Sequence, residues 1–121
     1  MEIVIYKKLE VSASSSDSSE FIPMYRKLTL KEARLVADAA VSADVTNFVI
    51  VKLQKGSTDL ASRSMTGGIT AGVSEALSLS GGADLDFSDL DELKILFDQN
   101  GGSGGAFNGG LVLVFEPRRE V

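Results

Sequence analysis

The sequence predicts an α+β fold: a single small domain with a mixed or antiparallel sheet of about five strands and two helices on it. Residues 45–54 and 111–115 are almost continuously apolar and rich in β-branched side chains, which is typical of strands covered on both faces. Residues 30–43 and 89–99 each follow a residue that commonly caps a helix. These strand and helix signals together indicate the fold class.

The N-terminal part predicts two edge strands and the first helix. Residues 2–11 combine β-branched residues with two lysines, and residues 20–27 contain Pro23, which fits only an edge or a bulge. Thr29 and Glu32 form a capping box for a helix over 30–43. The serine-rich stretch 12–20 between the strands is too polar to bury and is predicted to be a flexible loop.

The middle of the chain predicts a central strand at 45–54, followed by a loop at 57–65 that has no clear period. Residues 67–80 alternate apolar and small polar side chains, which favours a strand or a hairpin broken at Glu75. A helix through Val73, Ala76 and Leu77 is the alternative.

The C-terminal part predicts a second helix and a last strand. Ser88 is the expected N-cap of a helix over 89–99, with Leu90, Leu93, Leu96 and Phe97 facing inward. The glycine-rich stretch 100–110 is predicted to be a flexible loop. The strand 111–115 ends before Pro117, and the tail 118–121 is predicted to be solvated.

From residue 20 onward the order is β-α-β-β-α-β, which is that of the ferredoxin-like sandwich, with one strand added at the N-terminus. The helix 30–43 is expected to cover the strand 45–53, with 111–115 beside that strand. The alternative is an antiparallel β-barrel or sandwich with one or two capping helices. Because Ile50 lies within the central strand, Ile50→Asp is expected to unfold the domain.

Composition restricts the chemistry. The chain has 121 residues, no cysteine and no histidine, and its net charge is −5. Thiolate chemistry is therefore excluded, and the usual general base and metal ligand are missing. Basic residues occur as pairs rather than as a stripe, so no nucleic-acid partner is expected. No signal peptide or transmembrane segment is predicted, which indicates a soluble protein, cytoplasmic or virion-associated.

The acidic stretch 84–92 is the strongest candidate for a cation site. Asp84, Asp86 and Ser88 match positions 1, 3 and 5 of a calcium loop, but Asp89 replaces the required glycine and Ile95 the bidentate glutamate. A capped, acidic helix start explains the same residues, so no metal or cofactor is predicted.

Other patterns are weaker still. Residues 101–105 (GGSGG) lack the Gly-Lys-Ser/Thr of a phosphate-binding loop. A serine nucleophile would need a lysine base, for which the candidates are Lys52, Lys55 and Lys94. A base-stacking surface would have to come from a separate aromatic set: Tyr6, Tyr25 and Phe107. No catalytic residue is predicted.

The resulting hypothesis is a non-catalytic structural or interaction subunit that assembles with itself, as a homo-oligomer, or with a larger protein partner. The narrower hypothesis is a virion component: a capsid decoration, connector or tail protein. The alternatives are a small-ligand-binding or regulatory module, and an enzyme that uses carboxylates such as Asp86 or Asp91.

Overall fold

The computed structural model describes residues 1–118, which contain nine β-strands and one short 3-10 helix, Gly82–Leu85. The strands are β1 (Ile3–Val11), β2 (Ser18–Pro23), β3 (Leu28–Ala37), β4 (Phe48–Lys55), β5 (Thr58–Ser64), β6 (Ser74–Ala76), β7 (Asp86–Phe87), β8 (Glu92–Asn100) and β9 (Phe107–Pro117).

The strands form two sheets. Sheet A has the order β1-β9-β3-β6, with β7 also paired to β3, and sheet B has the order β2-β8-β4-β5. Every pairing between these strands is antiparallel. The chain passes repeatedly from one sheet to the other, so most neighbours in each sheet are distant in sequence; the hairpin of β4 and β5 is the exception. This is the topology of a jelly roll, a double-sheet arrangement built from Greek keys.

One hydrophobic core lies between the sheets and draws on both of them. On β9 the inward positions are Leu111, Leu113 and Phe115, all fully buried. The rings of Phe87 and Phe115 meet edge to face, with centroids 6.2 Å apart and planes at 80°. Sheet B contributes the alternate residues of its two inner strands: Val49, Val51, Leu53, Leu93, Ile95 and Phe97.

The predicted α+β fold class is wrong, and so is the ferredoxin-like order: residues 1–118 contain no α-helix. The predicted helix over 30–43 is largely strand β3. A β-bulge between Leu30 and Glu32 shifts the register against β9. Buried positions therefore run Leu28, Leu30, then Ala33, Leu35 and Ala37. The three-residue step at the bulge imitates helical spacing.

The predicted helix over 89–99 is also wrong, because Glu92–Asn100 is strand β8. Leu93 and Phe97 do face inward, as predicted. Leu96, however, lies on the outer face, and Leu90 is 90% exposed. The apolar side chain of Leu96 on the outer face filled the helical pattern and hid the two-residue alternation.

The predicted loop 57–65 is mostly strand β5. A second register shift, between Leu53 and Gln54 of β4, leaves Leu60 without a partner and buries it beside Ala61. This bulge removes the alternation that would have marked the strand. Within 67–80 only Ser74–Ala76 forms a strand, and it includes Glu75, the predicted break.

Several strand predictions are confirmed. The first strand lies at the edge of sheet A, and β2 ends at Pro23 on the edge of sheet B. The last strand is central in sheet A. It was expected to lie beside the strand 45–53. That expectation is wrong, because the corresponding strand, β4, belongs to sheet B. The alternative prediction was an antiparallel β-barrel or sandwich with one or two capping helices. Its antiparallel sheets agree with the structure, but its capping helices do not.

The predicted central strand at 45–54 begins later, at Phe48, and Val45 is 80% exposed. Only one face of β4 is fully buried: Val49 and Val51 point into the core, whereas Ile50 lies on the half-buried outer face. Val51→Asp, rather than Ile50→Asp, is therefore the substitution expected to unfold the domain.

The tail predicted to be solvated begins with Arg118, which packs against the rest of the protein. Arg118 is half-buried and donates from a guanidinium nitrogen to the carbonyl of Phe87 at 2.6 Å, so it is not simply solvated. Residues 119–121 lie outside the described part of the chain. In residues 1–118 no helix has the length and apolarity needed to cross a membrane.

Candidate interaction surface

Four apolar side chains form a patch on the outer face of sheet A. Val4 and Tyr6 of β1 are directly opposite Val114 and Val112 of β9. Alternation forces this arrangement: Leu111, Leu113 and Phe115 fill the core, so the residues between them must face outward. Val4 is 63% exposed and Tyr6 62%. We call Val4, Tyr6, Val112 and Val114 the outer patch.

The ring of Tyr6 lies over a glycine of the neighbouring strand. A Cβ atom added to Gly110 would come within 2.6 Å of the Tyr6 hydroxyl oxygen. The ring therefore occupies the space that any other residue at position 110 would fill. Covering a strand glycine with a cross-strand aromatic ring is a known means of stabilising a sheet. Here it also fixes the tyrosine within the outer patch.

Charged pairs surround the outer patch. Lys8 donates to the carboxylate of Asp38 and to the side-chain oxygen of Asn108, and the bond to Asp38 raises the pKa of Lys8 above its usual value. On β3, Arg34 Nε lies 2.8 Å from Glu32 Oε1. A further pair joins Lys31 and Glu116 at 3.6 Å.

An apolar centre with a polar rim is the typical anatomy of a protein–protein interface. Tyrosine is among the side chains enriched at such surfaces, and an apolar patch rimmed by polar groups marks an interaction site. The outer patch has both features, on the flat face of a sheet rather than in a cleft.

The two loops predicted to be flexible meet at one end of the sandwich. Buried Gln99 of β8 joins them: its side-chain oxygen accepts from the Gly105 N–H at 2.7 Å, and its side-chain nitrogen donates to the Ser12 carbonyl at 3.4 Å. The Ser103 N–H donates to Asn47 at 3.0 Å. The flexibility of 12–20 and 100–110 stays a prediction.

Beside these loops, β1, β9 and the connection from β3 to β4 enclose a cleft of about 530 Å³. Most lining side chains are small or apolar, such as Ala39, Ala40 and Val41. Glu10 and Asn108 add polar groups. The volume lies within the usual range for small-molecule sites, about 300–1,000 Å³.

Two carboxylates of the acidic segment are held by hydrogen bonds to neighbouring residues in the part of the chain that the structure describes. Asp86 accepts from the Thr29 hydroxyl at 2.5 Å, and Asp91 accepts from the Ser88 N–H at 2.8 Å. That backbone bond, opposed by desolvation and helped by Lys55, lowers the pKa of Asp91. No three metal-binding side chains gather among residues 1–118. Ser88 and Asp91 close a turn before β8, instead of capping a helix.

Two of the three lysines considered as bases, Lys52 and Lys55, have structural partners. Lys52 Nζ lies 3.1 Å from Asp98, and that hydrogen bond raises the pKa of Lys52. Lys55 Nζ donates to the Asp86 carbonyl at 2.7 Å and lies 5.5 Å from the Phe87 ring centroid. Lys94 is on β8, opposite Gln54 of β4.

The aromatic side chains considered for base stacking are not brought together on one surface. Phe107 is buried in the core, Tyr25 is 71% exposed in the connection after β2, and Tyr6 belongs to the outer patch. Among these candidates, only Tyr6 contributes to the surface described above.

Three important residues escaped sequence reasoning. Val112 and Val114 were expected to be core residues because their strand is continuously apolar. In such a strand the sequence does not show which alternate residues face inward and which face outward. Gln99 had a usable signal: it continues the buried parity of Leu93, Ile95 and Phe97, where a polar side chain needs hydrogen-bond partners.

No protein-family model matches the chain, and no curated protein matches it. It is similar to two solved structures of infectious bursal disease virus. One is the VP2 subviral particle, at 13% identity and TM-score 0.43; the other is the Gt strain, at 13% and 0.35. The alignments cover 96% and 93% of this chain but 33% of each viral chain, so it spans about a third of their length. At these TM-scores the likeness carries no argument about function.

Proposed function

We propose that this chain is a non-catalytic structural subunit that works by assembling with copies of itself, as a component of a virus particle. The observation that carries the proposal is the outer patch: apolar side chains that the core does not use, fixed on a flat sheet face and rimmed by charged pairs. Burying such a face requires a second protein surface.

The fold is compatible with this role. Jelly rolls occur in viral capsid proteins, lectins and cupins, so the topology by itself assigns no function. The outer patch favours the first of these uses. Capsid subunits function through contacts between their faces, whereas ligand-binding domains need a pocket.

Light scattering coupled to size-exclusion chromatography tests the proposal. The unmodified chain is expected to have a mass that is a multiple of 12.8 kDa. Tyr6→Ser is expected to shift the population toward monomer, because the one aromatic ring of the outer patch is lost. Tyr25→Ser is the matched control: Tyr25 is equally aromatic and also exposed but lies outside the patch. A strictly monomeric unmodified chain would overturn the proposal.

The cleft beside the two loops supports a second candidate, a small-ligand-binding module. Its apolar lining with a few polar groups is the usual composition of a ligand site. Thermal-shift screening against nucleotides, amino acids and divalent ions checks it, because a ligand selective for the native state raises the melting temperature. Ala40→Trp would fill the cleft and should abolish any such shift.

A further inference from the structure

The first strand of sheet A has one unpaired edge. All nine residues of β1 pair with β9, from Ile3 opposite Phe115 to Val11 opposite Phe107, without a register shift. No backbone hydrogen bond between described residues joins the other edge of β1 to a neighbour. A long, unbulged edge strand offers a row of free N–H and C=O groups to another strand.

The side chains along this edge are only half covered. Ile3 and Ile5 pack against the core but remain partly exposed. Lys7 also faces inward, and an inward charge is a common obstacle to edge pairing. Here Lys7 lies 3.3 Å from Glu20 of β2, so its charge is balanced within the subunit.

We propose that a second copy of this chain adds its β1 antiparallel to β1, with Ile5 on the two-fold axis. This inference rests on the proposed function, self-assembly, and specifies one contact of the assembly. The two copies of sheet A would join into one continuous sheet. Such a contact is isologous, the commonest symmetry of homo-oligomers.

The charges along β1 select the register. In antiparallel strands, directly opposite residues share a face of the sheet. The two-fold axis must therefore pass midway between a residue and its own copy in the second strand, and that residue is the one described as lying on the axis. With Ile5 on the axis, Glu2 is opposite Lys8 of the second copy, and this favourable pair occurs twice. Val4 is opposite Tyr6 of the second copy, which continues the outer patch across the axis.

The neighbouring registers toward the C-terminus are worse. With Tyr6 on the axis, Glu2 would oppose Glu10 of the second copy twice. With Lys7 on the axis, the two Lys7 side chains would oppose each other. Like charges directly opposite destabilise a strand pair. Of these three registers, only the one centred on Ile5 opposes unlike charges and no like charges.

Single cysteines test the register, because the chain has none of its own. In Ile5→Cys, the two thiols would be directly opposite, with Cα atoms about 4.5–5.5 Å apart, within reach of a disulfide. Mild oxidation should therefore give a covalent dimer on a non-reducing gel. Ile3→Cys and Lys7→Cys are matched controls on the same strand and face. Their thiols would be about 13 Å apart along the strands and should stay unlinked.

The outcomes separate the two proposals. A covalent dimer of Ile5→Cys alone supports the pairing. Crosslinking through Lys7→Cys or Tyr6→Cys instead would overturn the register. If the unmodified chain is oligomeric and none of these variants crosslinks, β1 is not the contact, although the proposed function stands. A monomeric unmodified chain would refute both.

Charge exchange provides a test that does not alter Ile5. Glu2→Lys places two lysines opposite each other in the dimer and should raise its dissociation constant about tenfold. Lys8→Glu does the same with two glutamates. The double variant restores opposite charges across the axis and should bind more tightly than Lys8→Glu alone, since both variants lose the Lys8–Asp38 pair equally. Failure of the double variant to bind more tightly, with circular dichroism showing a folded chain, would contradict the register.

Discussion

At the scale of single residues, the outer face of sheet A depends on a glycine. Gly110 leaves room for the Tyr6 ring, whereas its neighbour Gly109 leaves room for the backbone of β3. A Cβ atom at Gly109 would collide with the Val36 carbonyl and lie 3.0 Å from the Cα atom of Ala37. The two glycines therefore have different roles: one shapes the surface, and the other permits the sheet to form.

The two glycines make a matched pair of variants. Gly110→Ala is expected to change the free energy of unfolding by less than about 1 kcal/mol, because the exposed Tyr6 ring can rotate away. It should nevertheless shift the Tyr6 resonances and weaken self-association. Gly109→Ala is expected to cost about 2–3 kcal/mol, because backbone atoms must move. Denaturant titration and NMR measure both effects. Equal losses of stability would contradict the distinction.

The turn before β8 predicts a pH dependence. The Ser88 N–H holds the pKa of Asp91 below its usual value, so the ionised carboxylate stabilises the folded state. This contribution is complete above pH 5 or so and is lost as the pH falls through the lowered pKa. Asp91→Asn should cost about 0.5–1 kcal/mol at pH 7, toward the lower end since the side chain is 31% exposed.

Unfolding titrations of the native chain and Asp91→Asn at a series of pH values would measure this dependence. The difference in stability should shrink below about pH 4. Glu92→Gln is the control: Glu92 is the next residue along the chain and is exposed. A stability difference between Asp91→Asn and the native chain that persists at low pH would show that the charge of Asp91 is not its cause.

At the scale of strands and turns, the sequence predicted the places of strands within a sheet better than it predicted whether a segment is a strand, a helix or a loop. The edges at β1 and β2 followed from lysines and a proline, and the central place of β9 followed from its apolar run. Two of the failures have one physical cause: bulges in β3 and between β4 and β5 break the two-residue alternation. Because a bulge is defined by how a strand pairs with another strand, the residue pattern of one strand does not show it. Strand β8 pairs without a bulge and was mistaken for a helix because Leu96 is apolar on its outer face.

Strand β4 gives a direct test of which face is buried. Val51→Asp should cost more than about 4 kcal/mol, because an unpaired charge would enter the core. Ile50→Asp should cost only about 1 kcal/mol, mainly through the unfavourable approach to Asp98 on β8. Denaturant midpoints provide the comparison. A larger loss from Ile50→Asp would mean that the inward parity of β4 is wrong.

The loops at the end of the sandwich depend on one side chain. Gln99→Leu would leave the Gly105 N–H without its acceptor and should cost about 1–3 kcal/mol. Hydrogen exchange should then accelerate in both 12–17 and 101–106. Asn100→Leu, at the adjacent half-buried position, is the control. Acceleration in only one of the two segments would contradict the link through Gln99.

At the scale of the whole molecule, the sequence could not reveal the candidate surface. The absence of cysteine and histidine excluded thiolate chemistry and the usual general base. The outer patch, however, exists only once the strands are paired. Tyr6 and Val112 are far apart in sequence, and the jelly roll brings them opposite each other. The prediction of a subunit that assembles came from elimination; the outer patch now provides a surface on which to test it.

Sedimentation equilibrium of the unmodified chain over a wide concentration range tests self-assembly most directly. The weight-average mass should rise with concentration from near 12.8 kDa toward a multiple of that value. A mass that stays at 12.8 kDa at every concentration would contradict the proposal that this chain works by assembling with itself.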